Sequence, residues 1–211
     1  MDCWFSMIAG GNKNMIGTYK NMDTKLFDSL SLGSFESRLF AYMKAVGLDK
    51  ITVHYSGGGD SGGMDYMSFQ PSTKNDDLEN SIKENLEEPL TSPIYSRHGG
   101  FADSGGYNVD GEVIWDAKNG RVSIEGTDHY YEYSDDEDSE ETTEERDEGF
   151  DETLYDSSDD KGRGGEREYE LVFMFAKDYF KKKLPEEFHN RLLIEATNGD
   201  EYATQYVKEF K

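Results

Sequence analysis

The segment Gly59-Asp60-Ser61-Gly62-Gly63 has the residue types that surround the nucleophilic serine of trypsin-like proteases. Such a serine needs a histidine that takes its proton, an aspartate that orients this histidine, and backbone amides that stabilise the oxyanion. His54 lies only seven residues before Ser61, and about 60 residues precede the motif, which is too few for most of a protease fold. The same four residues, Asp-Ser-Gly-Gly, recur at 103–106. Because a nucleophile has no reason to occur twice, the sequence predicts tight turns here.

Carboxylates close to these glycine-rich segments offer a second chemistry, the binding of a divalent cation. Hard oxygen ligands and the exposed carbonyls of glycine-rich loops suit Ca²⁺ or Mg²⁺. The candidate metal ligands are Asp60, Asp103, Asp110 and Asp116. We expect these four carboxylates to gather at one end of a sheet. Such a cluster would support a cation-dependent enzyme that acts on phosphodiesters. Because the same residue types also close tight turns, the first expectation is a protein without a cofactor.

Most of the negative charge of the chain lies in one short stretch. The net charge is -23, and residues 134–160 contain fifteen acidic residues with Arg146 as the single basic residue. This charge repels nucleic acid and anionic membranes, and it attracts basic proteins or cations. The stretch has too few apolar residues to offset the entropy of ordering, so it predicts a disordered segment in the absence of a partner. Its simplest role is a solvating loop between two structured parts.

A more specific hypothesis is that the acidic stretch binds a basic protein by imitating nucleic-acid phosphates. Fully extended at about 3.3 Å per residue, it would carry one net charge per roughly 6 Å, against one per about 3.4 Å along a single nucleic-acid strand. Mimicry therefore requires folding on the partner, or further carboxylates from the domain. The candidate partner-binding residues are Asp135, Asp136, Glu137, Asp138, Glu140, Glu141, Glu144, Glu145, Phe150, Leu154 and Tyr155.

Three of these candidates, Phe150, Leu154 and Tyr155, are the only large apolar residues of the acidic stretch. Their spacing of four and five residues predicts that they share one face of a short helix. This face either docks into a basic, apolar groove of a partner or folds back onto its own domain. The spacing alone leaves both alternatives open.

Apolar periodicity and turn residues predict the elements that position these residues. Helical segments are expected at 23–46, in two pieces with Ser34 as a cap and an end at Gly47, and at 77–90, 185–196 and 201–210. Strands are expected at 50–55, 64–69, 111–116, 121–126 with an extension over 129–133, and 169–175. This grouping predicts an α+β fold, with a mainly antiparallel sheet, helices packed on one face and a disordered acidic insertion.

The expected organisation is one domain in three consecutive parts. Residues 1–133 form an α+β core with glycine-rich loops, residues 134–165 form the disordered acidic segment, and residues 166–211 complete the core with a strand and helices. A single cysteine, Cys3, rules out an internal disulfide and favours a reducing compartment. The sequence has no signal-peptide pattern and no run of about 18 apolar residues, which predicts a cytoplasmic protein without membrane contact.

Two motifs resemble those of an uncharacterised family of small bacterial and phage proteins. The first has the form Tyr-x-Gly-x-Gly-Asp-Ser-Gly and spans residues 55–62, and the second is a hairpin formed by 111–116 and 120–124. The resemblance covers roughly residues 35–135, and it implies the same fold and a bacterial or phage setting. The family has no established catalytic residues, so the resemblance implies no reaction.

Two functions from different classes follow from these observations. The first is a non-enzymatic, acidic protein-binding module, in its narrowest form a phage-encoded inhibitor that uses charge mimicry against a host nucleic-acid-binding defence protein. The alternative is the divalent-cation-dependent enzyme, with its carboxylates on the glycine-rich loops. The concentration of charge beside a small domain favours the binding module.

Overall fold

The structure is a computed structural model and describes residues 29–58, 61–72, 76–100, 107–133, 143–159, 171 and 186–209. The helices are α1 (Phe35–Val46), α2 (Asp76–His98), α3 (Glu186–Asn198) and α4 (Glu201–Glu209). The strands are β1 (Lys50–Gly58), β2 (Ser61–Gln70), β3 (Tyr107–Asp116), β4 (Arg121–Tyr133) and β5 (Thr143–Asp156). This arrangement confirms the expected α+β class.

The five strands form one antiparallel sheet with the order β2-β1-β3-β4-β5. Alternate residues of a strand point to opposite faces, and the buried apolar residues of the strands share one face. On this face lie Ile51, Val53, Val113, Val122 and Ile124, all of them buried. We call this side the core face and the opposite side the open face.

Helices α1 and α2 pack against the core face, as the sequence predicted. The ring of Phe35 meets that of Trp115 edge-to-face at 5.9 Å, and the indole Nε1 of Trp115 donates a hydrogen bond to the Leu90 carbonyl at 3.2 Å. The expected cap of α1 is also confirmed, because the Ser34 hydroxyl oxygen accepts a hydrogen bond from the Ser37 amide. The helix ends at Gly47, whose φ of 81° is left-handed.

Helix α2 is longer than the sequence predicted, because it continues past residue 90 to His98 with Pro89 and Pro93 inside it. A proline in a helix removes a donor and usually ends the helix, which is why the prediction stopped there. The Ser92 hydroxyl donates to the Pro89 carbonyl at 2.9 Å, the carbonyl that Pro93 leaves without its usual amide donor. The burial of Ile94, one turn beyond, supplies the apolar contact that keeps the helix on the sheet.

The prediction of a disordered acidic segment over 134–165 is wrong for residues 143–156, which form strand β5. Every residue of β4 pairs with a residue of β5. A bulge between Val122 and Ser123 passes over Leu154, so that both Phe150 and Tyr155 reach the core face. The predicted helix through these residues is therefore wrong too, since a complete partner strand outweighs the local charge repulsion. Residues 134–142 and 160–165 lie outside the described residues.

The two C-terminal helices agree with the predicted segments 185–196 and 201–210. They pack on each other, and the His189 ring and the Tyr206 hydroxyl lie 3.0 Å apart across their contact. Leu192 and Tyr206 are buried in the hydrophobic core. In the segment predicted as a strand at 169–175, Leu171 is described and is helical and buried, so the strand is wrong at this position.

Candidate functional site

Strand β5 is an acidic edge of the sheet. It contains seven acidic residues and one basic residue, Arg146, in 14 residues. At about 3.3 Å per residue it extends for about 46 Å, with side chains that alternate between the two faces. Among the described strands β5 pairs only with β4, so its outer side carries the backbone groups of a sheet edge.

On the open face, three carboxylate side chains stand directly opposite one another across three strands. Glu112 of β3 pairs with Glu125 of β4, and Glu125 pairs with Asp151 of β5. We call these three residues the carboxylate row. Like charges directly opposite each other in a sheet are destabilising. His54 of β1 lies at one end of the row, and its Nδ1 is 2.9 Å from Glu112 Oε1. The other two carboxylates make no ion pair with any described residue.

Two rows further along the open face, His129 of β4 connects β5 with β3. Its Nε2 lies 2.5 Å from Asp110 Oδ1, and its Nδ1 lies 2.7 Å from Asp147 Oδ1. A carboxylate only accepts hydrogen bonds, so both ring nitrogens face acceptors and these contacts favour the imidazolium form of the ring. The hydrogen bonds to Asp110 and then to Asp147 raise the pKa of His129 above its ordinary value of 6.5. This contact, the His129 clamp, leaves a net negative charge.

On the core face, Arg97 at the end of α2 contacts β5 at two residues and the neighbouring strand β4 at one. Its guanidinium lies over the Phe150 ring, 3.9 Å from the centroid, and it donates a hydrogen bond to Asp128 Oδ2 at 3.2 Å. It also forms an ion pair with Glu152. The Asp128 side chain is 9% exposed and that of Arg97 is 24% exposed, so water screens the ion pair between these two residues only weakly. Arg97 therefore attaches the acidic strand to the helical layer.

Next to Arg97, His98 joins two tyrosines inside the fold. Its Nε2 is 3.0 Å from the Tyr55 hydroxyl, and its Nδ1 is 3.3 Å from the Tyr107 hydroxyl. Burial lowers the pKa of His98 and raises the pKa of Tyr55, because both charged forms would lose their hydration. Both groups are therefore neutral at neutral pH. They form a polar cluster within the core behind β5.

This cluster explains why the two motifs contain a tyrosine and a glycine. Tyr55 of the first motif pairs with Gly111 of the second, and a Cβ at residue 111 would lie only 2.7 Å from the Tyr55 hydroxyl oxygen. A side chain at residue 111 would therefore displace the tyrosine that contacts His98. The motif residues thus have a structural role in the core, and the sequence alone did not reveal it.

The two predicted metal ligands that the structure describes, Asp110 and Asp116, do not lie at the same end of the sheet. Asp110 and Asp116 lie six residues apart on β3, which separates them by about 20 Å. Asp110 binds His129, whereas Asp116 accepts hydrogen bonds from the backbone amide and the side chain of Asn119 in a turn. Asp60 and Asp103 lie outside the described residues. The described residues contain no group of three or more side chains that could hold a metal ion.

The predicted partner-binding residues have different locations. Two of them, Glu144 and Glu145, lie in β5. Six others lie outside the described residues: Asp135, Asp136, Glu137, Asp138, Glu140 and Glu141. Phe150 and Tyr155 fold back onto their own domain, where Tyr155 contacts the ring of Phe40 at 5.9 Å. Leu154 is 46% exposed. Of the two alternatives that the sequence left open, these two aromatic residues therefore follow the second, in which they pack against their own domain.

Sequence reasoning missed Arg97, His98, Asp128 and His129. A signal for His98 existed, because the four-residue spacing of Ile82, Leu86, Leu90 and Ile94 continues to this residue. Accepting this period across the two prolines would have extended α2 and brought His98 to the core. Nothing local identifies Asp128 and His129, since their partners come from other strands and from a helix.

No protein family, characterised protein or solved structure matches this chain. The resemblance to a bacterial and phage family therefore stays a prediction, which is based on the two motifs. Within the described ranges, no helix is both long and apolar enough to cross a membrane.

Proposed function

We propose that this protein is a non-enzymatic module that binds a basic protein through β5 and the adjoining carboxylates of the open face. The observation that carries this proposal is the carboxylate row, Glu112, Glu125 and Asp151. Like-charge neighbours directly opposite each other destabilise a sheet, and a basic partner would relieve this repulsion on binding. A row of this kind is thus better suited to a bound cationic surface than to the free protein.

The spacing of these carboxylates supports imitation of a nucleic acid more strongly than the sequence did. Neighbouring strands are about 4.8 Å apart, so the row carries one carboxylate per about 4.8 Å. A single nucleic-acid strand carries one charge per about 3.4 Å. The sheet thus supplies the domain carboxylates that an extended acidic stretch would need. More narrowly, we propose that the partner is a host nucleic-acid-binding defence protein and that this chain is its phage-encoded inhibitor.

The experiment compares two double variants of the full chain. Glu125→Gln with Asp151→Asn neutralises two members of the carboxylate row, and Glu87→Gln with Glu88→Gln removes the same charge from α2. Affinity is measured against a panel of purified basic, nucleic-acid-binding proteins of bacteria at several salt concentrations. We expect the row variant to bind about tenfold more weakly, which is about 1.4 kcal/mol, and the α2 variant to bind as the parent does.

Two further measurements define the outcome. Binding should fall steeply as salt rises, and a DNA duplex should compete with this protein for its partner. Equal binding by the row variant and the parent would overturn the proposal. Deletion of 134–160 would be a poor test, because it removes β5 and exposes the core residues that Phe150 and Tyr155 cover.

A further inference from the structure

We propose that β5 receives an extended, basic segment of the partner as a sixth, antiparallel strand of the sheet. This inference rests on the proposed function and adds the mode of binding. Strand addition at a sheet edge takes its affinity from backbone hydrogen bonds and its specificity from alternate side chains. Both components are present on β5.

The backbone component is the outer side of β5. In an antiparallel pair, the backbone groups of alternate residues point toward the neighbour, and those between them point away. One side of β5 is paired with β4 along the whole of β4, and no described strand pairs with the other side. With 14 residues, β5 offers enough edge for a partner strand of ordinary length.

The charge of β5 selects the occupant. A second copy of this chain would place acidic β5 against acidic β5, and like charges directly opposite are destabilising. A basic strand would instead place opposite charges at these positions. The acidic residues thus favour a basic partner and act against self-association at this edge.

The order of residues on β5 defines the complementary strand more closely. Asp147 and Asp151 flank Gly149 on the open face, whereas Glu148 and Glu152 flank Phe150 on the core face. The recognition stretch is therefore two acids, two uncharged residues and two acids. An antiparallel strand that complements it has two basic residues, an apolar residue opposite Phe150, a residue opposite Gly149, and two basic residues.

Gly149 leaves open space on the open face. A Cβ at this position would meet only the Gly126 carbonyl oxygen, at an ordinary contact distance of 3.9 Å. A large aromatic side chain of the added strand can cover this glycine, as aromatic residues do for glycines in paired strands. The complementary sequence is therefore Lys-Lys-Val-Tyr-Lys-Lys, written from its N-terminus.

The test measures binding of this synthetic peptide to the full-length protein. Two N-methylated versions of the peptide are also tested. In one version the backbone nitrogens of the odd-numbered residues are methylated, and in the other those of the even-numbered residues, so that each version blocks one edge of the extended peptide. In strand addition one edge faces β5 and the other faces solvent. We expect one methylated copy to lose at least about tenfold in affinity, through lost hydrogen bonds, and the other to bind like the parent peptide. A scrambled peptide, Lys-Val-Lys-Lys-Tyr-Lys, controls for charge alone.

A protein variant tests the space over Gly149 without a change of charge. Gly149→Val should weaken binding of the tyrosine peptide about fivefold or more, because the added side chain fills the space that the ring would occupy. The same variant should bind Lys-Lys-Val-Gly-Lys-Lys as the parent does. Backbone NMR should place the binding shifts on β5 and not on β2.

The outcomes separate this inference from the proposed function. If both methylated copies bind equally well, or if a basic protein binds and none of the peptides does, strand addition is overturned while the acidic binding surface stands. If neither basic peptides nor basic proteins bind, both proposals fall. A dimer that protects the β5 amides in the absence of peptide would make a second copy the occupant and overturn the basic strand.

Discussion

The two edge strands of this sheet are held in place by opposite kinds of interaction. β2 has a single acidic residue and no basic one, and it attaches to the core through the buried side chains of Met67 and Phe69. β5 has seven acidic residues, and it attaches through Arg97 and the His129 clamp as well as through two aromatic rings. The same sheet thus has one apolar anchorage and one that is largely electrostatic.

This difference matters because a sheet edge is open to other strands. Charged residues on an edge prevent the association of identical copies while they leave the backbone groups available. β5 combines such charges with a long edge, whereas β2 is held mainly by the burial of its apolar side chains. We therefore expect salt, pH and charge substitutions to affect β5 strongly and β2 weakly.

The largest effect should come from the apolar anchorage of β2. Phe69→Ala removes a buried ring that also lies beneath the Lys83 ammonium, and it should lower the free energy of unfolding by about 3–5 kcal/mol. Tyr66→Ala is the control on the same strand, because this ring is 56% exposed, and it should cost about 1 kcal/mol or less. Urea unfolding at low and high salt measures both. A strong salt dependence of the Phe69→Ala effect would contradict the comparison.

The next effect should come from Arg97. Arg97→Ala leaves the buried carboxylate of Asp128 without its cation, which should cost about 3 kcal/mol. Arg121→Ala is the matched control, because its ion pair with Asp156 is exposed to water and should contribute little to stability. Hydrogen exchange should show that Arg97→Ala opens β5 before β2. Equal opening of both edges would show that Arg97 does not anchor β5.

Two histidines should make the free energy of unfolding depend on pH in opposite directions. The pKa of His129 is raised in the folded state, so the stability from its clamp is complete below about 6.5 and is lost as pH rises through the folded pKa. The pKa of His98 is lowered, so its contribution is lost as pH falls below about 6.5, where the unfolded chain binds a proton.

The measurement of this pH dependence is urea unfolding from pH 5.5 to 8.5. His129→Gln should remove the decrease in the free energy of unfolding at alkaline pH and leave its decrease at acidic pH unchanged. We expect this to be the smallest of the effects on stability, because the clamp lies near the surface. An unchanged alkaline side in the variant would show that the clamp contributes nothing to the folded state.

The sequence predicted the elements whose periodicity is local. The capped helix before Gly47, the hairpin of β3 and β4, and the C-terminal helices all follow from spacing and turn residues. The prediction failed where a distant partner outweighs local preference. β5 is acidic and poor in apolar residues, and it becomes a strand because β4 supplies a full set of hydrogen bonds. Helix α2 continues past two prolines because the burial of its apolar residues in the core stabilises it.

The same division applies to the candidate site. Composition alone determined that the chain is strongly acidic and that its excess charge is concentrated in one stretch, since charge is a property of the residues themselves. Only the tertiary structure decided that part of this stretch is a sheet edge, that Glu112, Glu125 and Asp151 form a row, and that His129 and Arg97 attach β5 to the fold. The reason is physical: strand pairing brings together residues far apart in sequence, and no local pattern specifies their distance.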